Sequence, residues 1–153
     1  MFEDIYNFMP LSETLFSGGM PSAEQLQDGT EHGVNVVINL APHDAPGALP
    51  EEEKLVRSLG MEYINIPVTW NTPTEEDLKK FMTVMQEHRH QTVLVHCQAN
   101  FRASAFIAMY RILRLGWDPE DALQVMHKIW DEQEYPVWRT FIEDMLHKSR
   151  NEP

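Results

Sequence analysis

Apolar positions along the chain fall into short blocks, separated by longer segments where apolar residues recur at helical spacing. "VNVVINL" (34–40), "MEYINIPV" (61–68) and "TVLVHC" (92–97) are short, rich in β-branched residues and nearly continuous. Such blocks predict strands, the first and third in the style of strands buried on both faces of a sheet. "TLFSGGMP" (14–21) predicts another strand, ended by Gly18, Gly19 and Pro21. Between the strands, "SAEQLQDGTEHG" (22–33) predicts a helix with Ser22 as its cap and Gly33 as its stop. A loop with Pro42, Pro46, Gly47 and Pro50 leads to "EEEKLVRSLG" (51–60), a short helix with acids in its first turn and Gly60 at its end. "TPTEEDLKKFMTVMQEHRH" (72–90) is a longer helix. Thr74 can cap it, and Asp77 resembles the carboxylate of a capping box. "ASAFIAMYRILRLG" (103–116) is an apolar helix ended by Gly116. Asp118 and Pro119 open the next, "PEDALQVMHKIWDEQ" (119–133), with proline at its first position, and "PVWRTFIEDMLHKSR" (136–150) follows.

Strands alternating with helices predict an α/β fold with a central, mostly parallel sheet flanked by helices. The 153 residues suit a single domain over 1–153. Ligands of such sheets sit beyond the carboxyl ends of the strands, and Cys97 lies at one of those ends, just before a helix.

The net charge of -12 argues against nucleic acid and anionic membrane surfaces as partners, since both need a basic footprint. Any anion site must therefore work through local donors against the global field. No apolar run is long enough to span a bilayer. "MFEDIYNFMP" has neither the basic region nor the apolar stretch of a signal peptide, so a cytoplasmic location is expected. One cysteine excludes an internal disulfide, and no two histidines stand four apart, so neither metal nor cofactor is expected. His88 and His90 read as solvated surface residues. Trp117, Trp130 and Trp138 are spaced like packing anchors of a core, whereas Trp70 suits the wall of a pocket or a core equally.

The chemistry concentrates in "VLVHCQANFRAS" (93–104). A strand, short loop and helix form a natural anion cradle: loop amides point inward and the helix N-terminus adds partial positive charge. A cysteine opening that loop sits in the same field, which favours its thiolate. Arg102 can grip two oxygens in a bidentate fork, Ser104 can donate to the sulfur, and His96 can orient the loop through a backbone contact. The loop lacks glycine, so Asn100 is the residue expected to take positive φ. The plainer alternative is a buried structural cysteine beside a solvated arginine. The coincidence of thiol, arginine, serine and strand-to-helix junction favours the anion loop.

At these residues the chain resembles the cysteine-dependent protein phosphatases, especially small dual-specificity enzymes, and more closely a group of bacterial phosphatase-like domains. "LFSGGMPSAEQL", "VVINLAP", "LGMEYINIPV", "PTEEDLKKF" and "VLVHCQANFRASAF" occur in the order expected of that group. The resemblance implies hydrolysis of phosphate monoesters through a cysteinyl-phosphate. Cys97 and Arg102 would be catalytic, and Cys97, Gln98, Ala99, Asn100, Phe101, Arg102 and Ala103 would bind phosphate. His96, Ser104 and Trp70 would support them. The implied partner is a phosphate-containing small molecule or a phosphoprotein.

Two departures stand out. The phosphatase signature has five residues between Cys and Arg, whereas four separate Cys97 from Arg102, and Ala103 precedes Ser104. One position is about 100° around a helix, enough to misaim a helical arginine. The same spacing is that of rhodanese-type sulfurtransferases, which makes transfer through a Cys97 persulfide an alternative. Secondly, the family places an acidic proton donor after the strand corresponding to "YINIPV", where this chain reads Val68-Thr69-Trp70. Glu75, Glu76 and Asp77 are the nearest acids, and Asp44 lies on the proline-rich loop. Losing a general acid costs about 10²- to 10⁴-fold in rate, so a phosphate-binding module with weak catalysis is a further alternative.

Overall fold

The computed structural model describes residues 1–151, with side chains to Lys148, so positions 152 and 153 of the expected domain lie outside the described residues. Five strands form one sheet: β1 (Met9–Ser12), β2 (Leu15–Gly18), β3 (Val36–Asn39), β4 (Glu62–Asn65) and β5 (Val93–His96), in the order β1-β2-β5-β3-β4. The last four strands in that order run parallel, and only β1 is antiparallel to its neighbour. The helices are α1 (Ala23–Glu31), α2 (Glu52–Ser58), α3 (Glu75–Glu87), α4 (Phe101–Leu113), α5 (Pro119–Met126) and α6 (Pro136–Asn151).

The two-residue period of the strands sorts their side chains into two cores. Val36, Ile38, Val93 and Val95 pack with residues of α3, α4, α5 and α6 on one face. Val37, Tyr63 and Leu94 pack with Phe2, Leu26 and Val56 on the other, under α1 and α2. His96 follows Leu94 by two positions and so points to the α2 side.

Strand β1 is absent from the sequence expectation. Its residues are at most half-buried and it contains Pro10, which an edge strand tolerates because the missing N–H need not pair. The segment 119–133 is not one helix. It stops at Met126 and resumes as a 3₁₀ turn over Glu132–Glu134 capped by Asp131. The break lets Trp130 enter the core, where it stacks on Phe101 with ring centroids 4.8 Å apart.

Two further expectations need correction. Trp117 is no core anchor: it is 38% exposed and lies under the Arg111 guanidinium at 4.2 Å. Trp130 and Trp138 are buried as expected. At α3, Thr74 accepts the Asp77 amide, but among the described residues no bond returns from the Asp77 carboxylate. The full capping box is at α1, where Ser22 and Gln25 satisfy each other's amides.

Candidate active site

The carboxyl ends of the parallel strands are in register: Gly18 and Asn39 both pair with His96, and Asn65 pairs with Asn39. Cys97 leaves this end, and residues 98 to 100 turn into α4. Asn100 has φ 68°, the left-handed conformation that a glycine-free loop required. Its side-chain amide donates to the Asn7 carbonyl at 2.8 Å and to Ser17 Oγ at 3.0 Å. Asn7 donates in return to the Ala99 carbonyl at 3.0 Å. The loop is also backed by Gly19, where a Cβ would stand 2.7 Å from the Gln98 carbonyl.

A cleft of about 260 Å³ opens over this loop, lined by Trp70, Cys97, Gln98, Ala99, Phe101 and Arg102. Of the residues expected to bind phosphate, Asn100 and Ala103 do not line it. The Asn100 side chain turns toward Asn7 and Ser17, and Ala103 is fully buried in the larger core. Arg102 is already helical, the second residue of α4, yet it lines the cleft beside the thiol. Its guanidinium is buried and donates to the Val68 carbonyl at 2.8 Å, which ties it to the loop carrying Trp70.

Among the described residues, the backbone amides of Gln98, Ala99, Phe101, Arg102 and Ala103 have no hydrogen-bond acceptor, while the antiparallel bridge between Gly19 and Ala99 engages the Asn100 amide. Helix starts always leave some amides unpaired. Gln98 and Ala99 extend these donors back from the helix into the loop, where they border the cleft.

Ser104 departs from its expected role. Its hydroxyl donates to the Phe101 carbonyl at 3.1 Å and accepts the Trp130 indole N–H at 3.0 Å. Its proton is thus committed to the start of α4 rather than to sulfur. Trp70 is both wall and packing residue: it lines the cleft and stacks on Trp138 at 5.4 Å, and its carbonyl accepts the Trp138 indole N–H.

Glu52, Asn39 and Tyr63, missed from sequence, lie behind the loop around His96, which the sequence places in contact with the loop backbone. His96 is fully buried; its Nε2 is 2.5 Å from Glu52 Oε2 and its Nδ1 is 3.3 Å from the Cys97 carbonyl. Both ring nitrogens face oxygen acceptors, so a proton is needed in each contact. Asn39 donates to Glu52 Oε1 at 3.2 Å and to the Tyr63 hydroxyl at 3.1 Å, and accepts the Ala41 amide at 2.8 Å. Burial pushes the Tyr63 hydroxyl up to about 12. Glu52 reads in sequence as an ordinary first-turn acid. Only the polar Asn39 ending an apolar block hinted at a buried network.

Among the described residues, no carboxylate lines the cleft. Glu75 pairs with Lys148 at 2.8 Å, and Glu76 with Lys80 at 3.8 Å. Both line a different groove, beside Ile64 and Ile66. Asp44 is exposed on the 41–50 loop, whose Pro46 carbonyl accepts from Gln98 at 2.7 Å. Away from the cleft, His127, Asp131 and Glu132 bring potential metal ligands within 4.8 Å of one another, a grouping the sequence did not suggest. His127 is paired with Glu132 at 2.7 Å and Asp131 caps the 3₁₀ turn, which accounts for the cluster. No helix among the described residues is long and apolar enough to cross a membrane.

Residues 6–142 match the family model described as DSP-PTPase phosphatase fused to NAD+ Kinase. The chain belongs to this family. Its fold is accordingly that of the cysteine phosphatases. A DUF442 protein from Shewanella putrefaciens CN-32 superposes with a TM-score of 0.87 at 39% identity, covering 94% of this chain and 91% of that one. The dual-specificity protein phosphatase TpbA of Pseudomonas aeruginosa (strain UCBPP-PA14) is 26% identical over 124 residues, 80% of this chain and 54% of that protein. A structure of P. aeruginosa TpbA in complex with pTyr superposes with a TM-score of 0.72 at 20% identity, covering 95% of this chain and 91% of that one. A Beta-lactamase hydrolase-like protein of Xylella fastidiosa (strain Temecula1 / ATCC 700964) is 27% identical over 122 residues, 76% of this chain and 28% of that protein. The chain thus spans from about a quarter to about half the length of these curated relatives.

Proposed function

We propose that the chain hydrolyses phosphate monoesters through a Cys97 thiolate. The observation that carries the proposal is the set of unpaired amides on Gln98, Ala99, Phe101 and Arg102, which line one cleft with a buried thiol and a buried guanidinium. Such N–H donors beside a guanidinium suit the equatorial oxygens of a phosphoryl group. The Cys97 thiolate attacks phosphorus in line: an S–P bond forms, and the P–O bond to the leaving group breaks. Arg102 and the amides hold the other three oxygens. Water then attacks phosphorus, the S–P bond breaks, and phosphate leaves with the thiolate restored. His96 holds the Cys97 carbonyl and hence the loop, without exchanging a proton with substrate.

With no carboxylate among the described residues on the cleft, the leaving oxygen departs without a side-chain acid. Aryl phosphates, which leave readily as phenoxides, are therefore the favoured substrates. Phosphotyrosine in a phosphoprotein, or a small aryl phosphate, has that chemistry, and the TpbA complex with pTyr supports this choice. Trp70 and Phe101 offer aromatic walls to such a ring.

The absence of a carboxylate from the cleft also favours a second reading, a phosphate-binding module without efficient turnover. Hydrolysis of an aryl phosphate by wild-type protein and by Cys97→Ser separates the two. Turnover lost in the variant supports the enzyme, and phosphate binding without turnover supports the module. Activity that survives the substitution refutes the thiolate mechanism, and failure to bind any oxyanion by calorimetry refutes both readings.

A further inference from the structure

A second concentration of positive charge lies at the opposite end of the sheet. Val93 begins β5, four residues before Cys97, or roughly 13 Å at about 3.3 Å per residue. There a cavity of about 350 Å³ is lined by Arg111, Arg89, His88, Tyr110, Thr14 and Trp117, among others, and, among the described residues, by no acid. That is notable in a chain with 24 acidic and 12 basic residues, where chance would favour carboxylates.

Arg111 is the decisive group. A cation in the last turn of a helix is ordinary, but it is ordinarily solvated. Arg111 is 6% exposed, and among the described residues no carboxylate pairs with it. Among the described residues, its guanidinium makes one hydrogen bond, a 3.5 Å contact to the Leu11 carbonyl, while a guanidinium carries five N–H donors. Its central carbon lies 4.2 Å from the Trp117 ring centroid, a cation–π contact that uses none of the N–H donors in a conventional hydrogen bond. Burial pulls the guanidinium below its usual range, with no neighbouring acid to offset the effect. Buried charges are normally paired, so a guanidinium bordering a cavity without a counter-ion is half of an ion pair. Arg89 is exposed, and its guanidinium donates to the Gln86 carbonyl at 2.8 Å. His88 is paired with Glu62 at 3.3 Å and adds no free charge.

We propose that this cavity binds a small organic oxyanion, a phosphate or carboxylate on an aromatic or apolar body, with Arg111 as its fork and Arg89 at its mouth. The site is separate from the Cys97 cleft and does not depend on the phosphatase reading.

The test uses the indole N–H signals of Trp117 and Trp70 as reporters of the two sites, assigned with Trp117→Phe and Trp70→Phe. Phenylphosphonate and benzoate are titrated separately, which distinguishes phosphate-type from carboxylate ligands, with sodium chloride as control. Saturable movement of the Trp117 signal with either ligand is expected, lost in Arg111→Met and weakened about two- to fivefold in Arg89→Gln, as befits an exposed ion pair. No Trp117 movement with either ligand, an equal response to chloride, or a response that survives Arg111→Met overturns the proposal. If Arg111→Met does not fold, unchanged affinity in Arg89→Gln overturns it. A Trp70 signal that stays still while Trp117 moves counts against the anion loop alone.

Discussion

Glu52→Ala removes the carboxylate that closes the network behind Cys97. Glu52 and His96 are both buried, with 2.5 Å between Oε2 and Nε2. The truncation leaves His96 Nε2 and one Asn39 contact without partners in a space closed to water. Removing one member of such a buried pair costs about 3–5 kcal/mol. At about 2–4 °C per kcal/mol for a chain of this size, the melting temperature should fall by about 6–20 °C. Glu52→Gln is the informative companion. Its carbonyl can still accept from Asn39, and its amide can donate to a neutral His96 whose Nδ1–H stays on the Cys97 carbonyl. Exchanging a charge-assisted bond for a neutral one costs about 1–2 kcal/mol. Urea unfolding followed by far-ultraviolet circular dichroism checks both, provided the slope of the transition is unchanged. A cost below about 1 kcal/mol for Glu52→Ala, or equal costs for the two variants, would refute the reading of this pair as a tightly coupled structural contact.

The Tyr63 hydroxyl is held protonated to about 12 in the folded chain, against 10.0 ordinarily, so the unfolded chain loses its proton first. The associated stability is therefore present below pH 10 and is lost as pH rises toward 12. Urea midpoints across that window should fall less steeply in Tyr63→Phe than in wild type, and parallel curves refute the assignment. At Asn100, both Gly and Ala lose the bonds to Asn7 and Ser17, but only Ala also suffers from the φ of 68°. Denaturation should find Ala worse than Gly by about 1–2 kcal/mol, and equal costs would remove backbone strain as the reason for Asn100. Trp138→Ala empties a fully buried site and should cost about 3–5 kcal/mol in the same assay, whereas Trp117→Ala should cost far less. Incubation with thiosulfate should leave the intact mass unchanged, and a gain of one sulfur on Cys97 would revive the sulfurtransferase alternative.

Local signals were enough for much of this chain. Continuous apolar blocks at 34–40 and 92–97 mark strands covered on both faces, because no polar side of the sheet remains to be solvated. Ser22, Thr74 and Asp118 cap their helices because a side-chain oxygen satisfies amides only a few residues away. The positive φ at Asn100 followed from a tight loop without glycine. Each of these depends on neighbours in the chain, and neighbours are what a sequence records.

The remainder depended on residues far apart. Glu52 meets His96 across 44 positions because the strand period turns His96 toward the face that α2 covers. Whether Arg102 is misaimed could not be settled by counting. It depends on where α4 begins, and as the second residue of that helix Arg102 lines the cleft. Ser104 looked free to serve the sulfur until Trp130, 26 positions away, claimed its hydroxyl. The helical pattern of 119–133 likewise breaks after Met126, and beyond the break Trp130 stacks on Phe101, 29 positions away. In the same way Arg111 reads as an ordinary last-turn cation, and only packing shows that its charge is buried without a counter-ion. Sequence by itself determined the elements and located the reactive loop, because these rest on local conformational preference. Tertiary packing alone decided which polar groups find partners and which face a cleft unpaired.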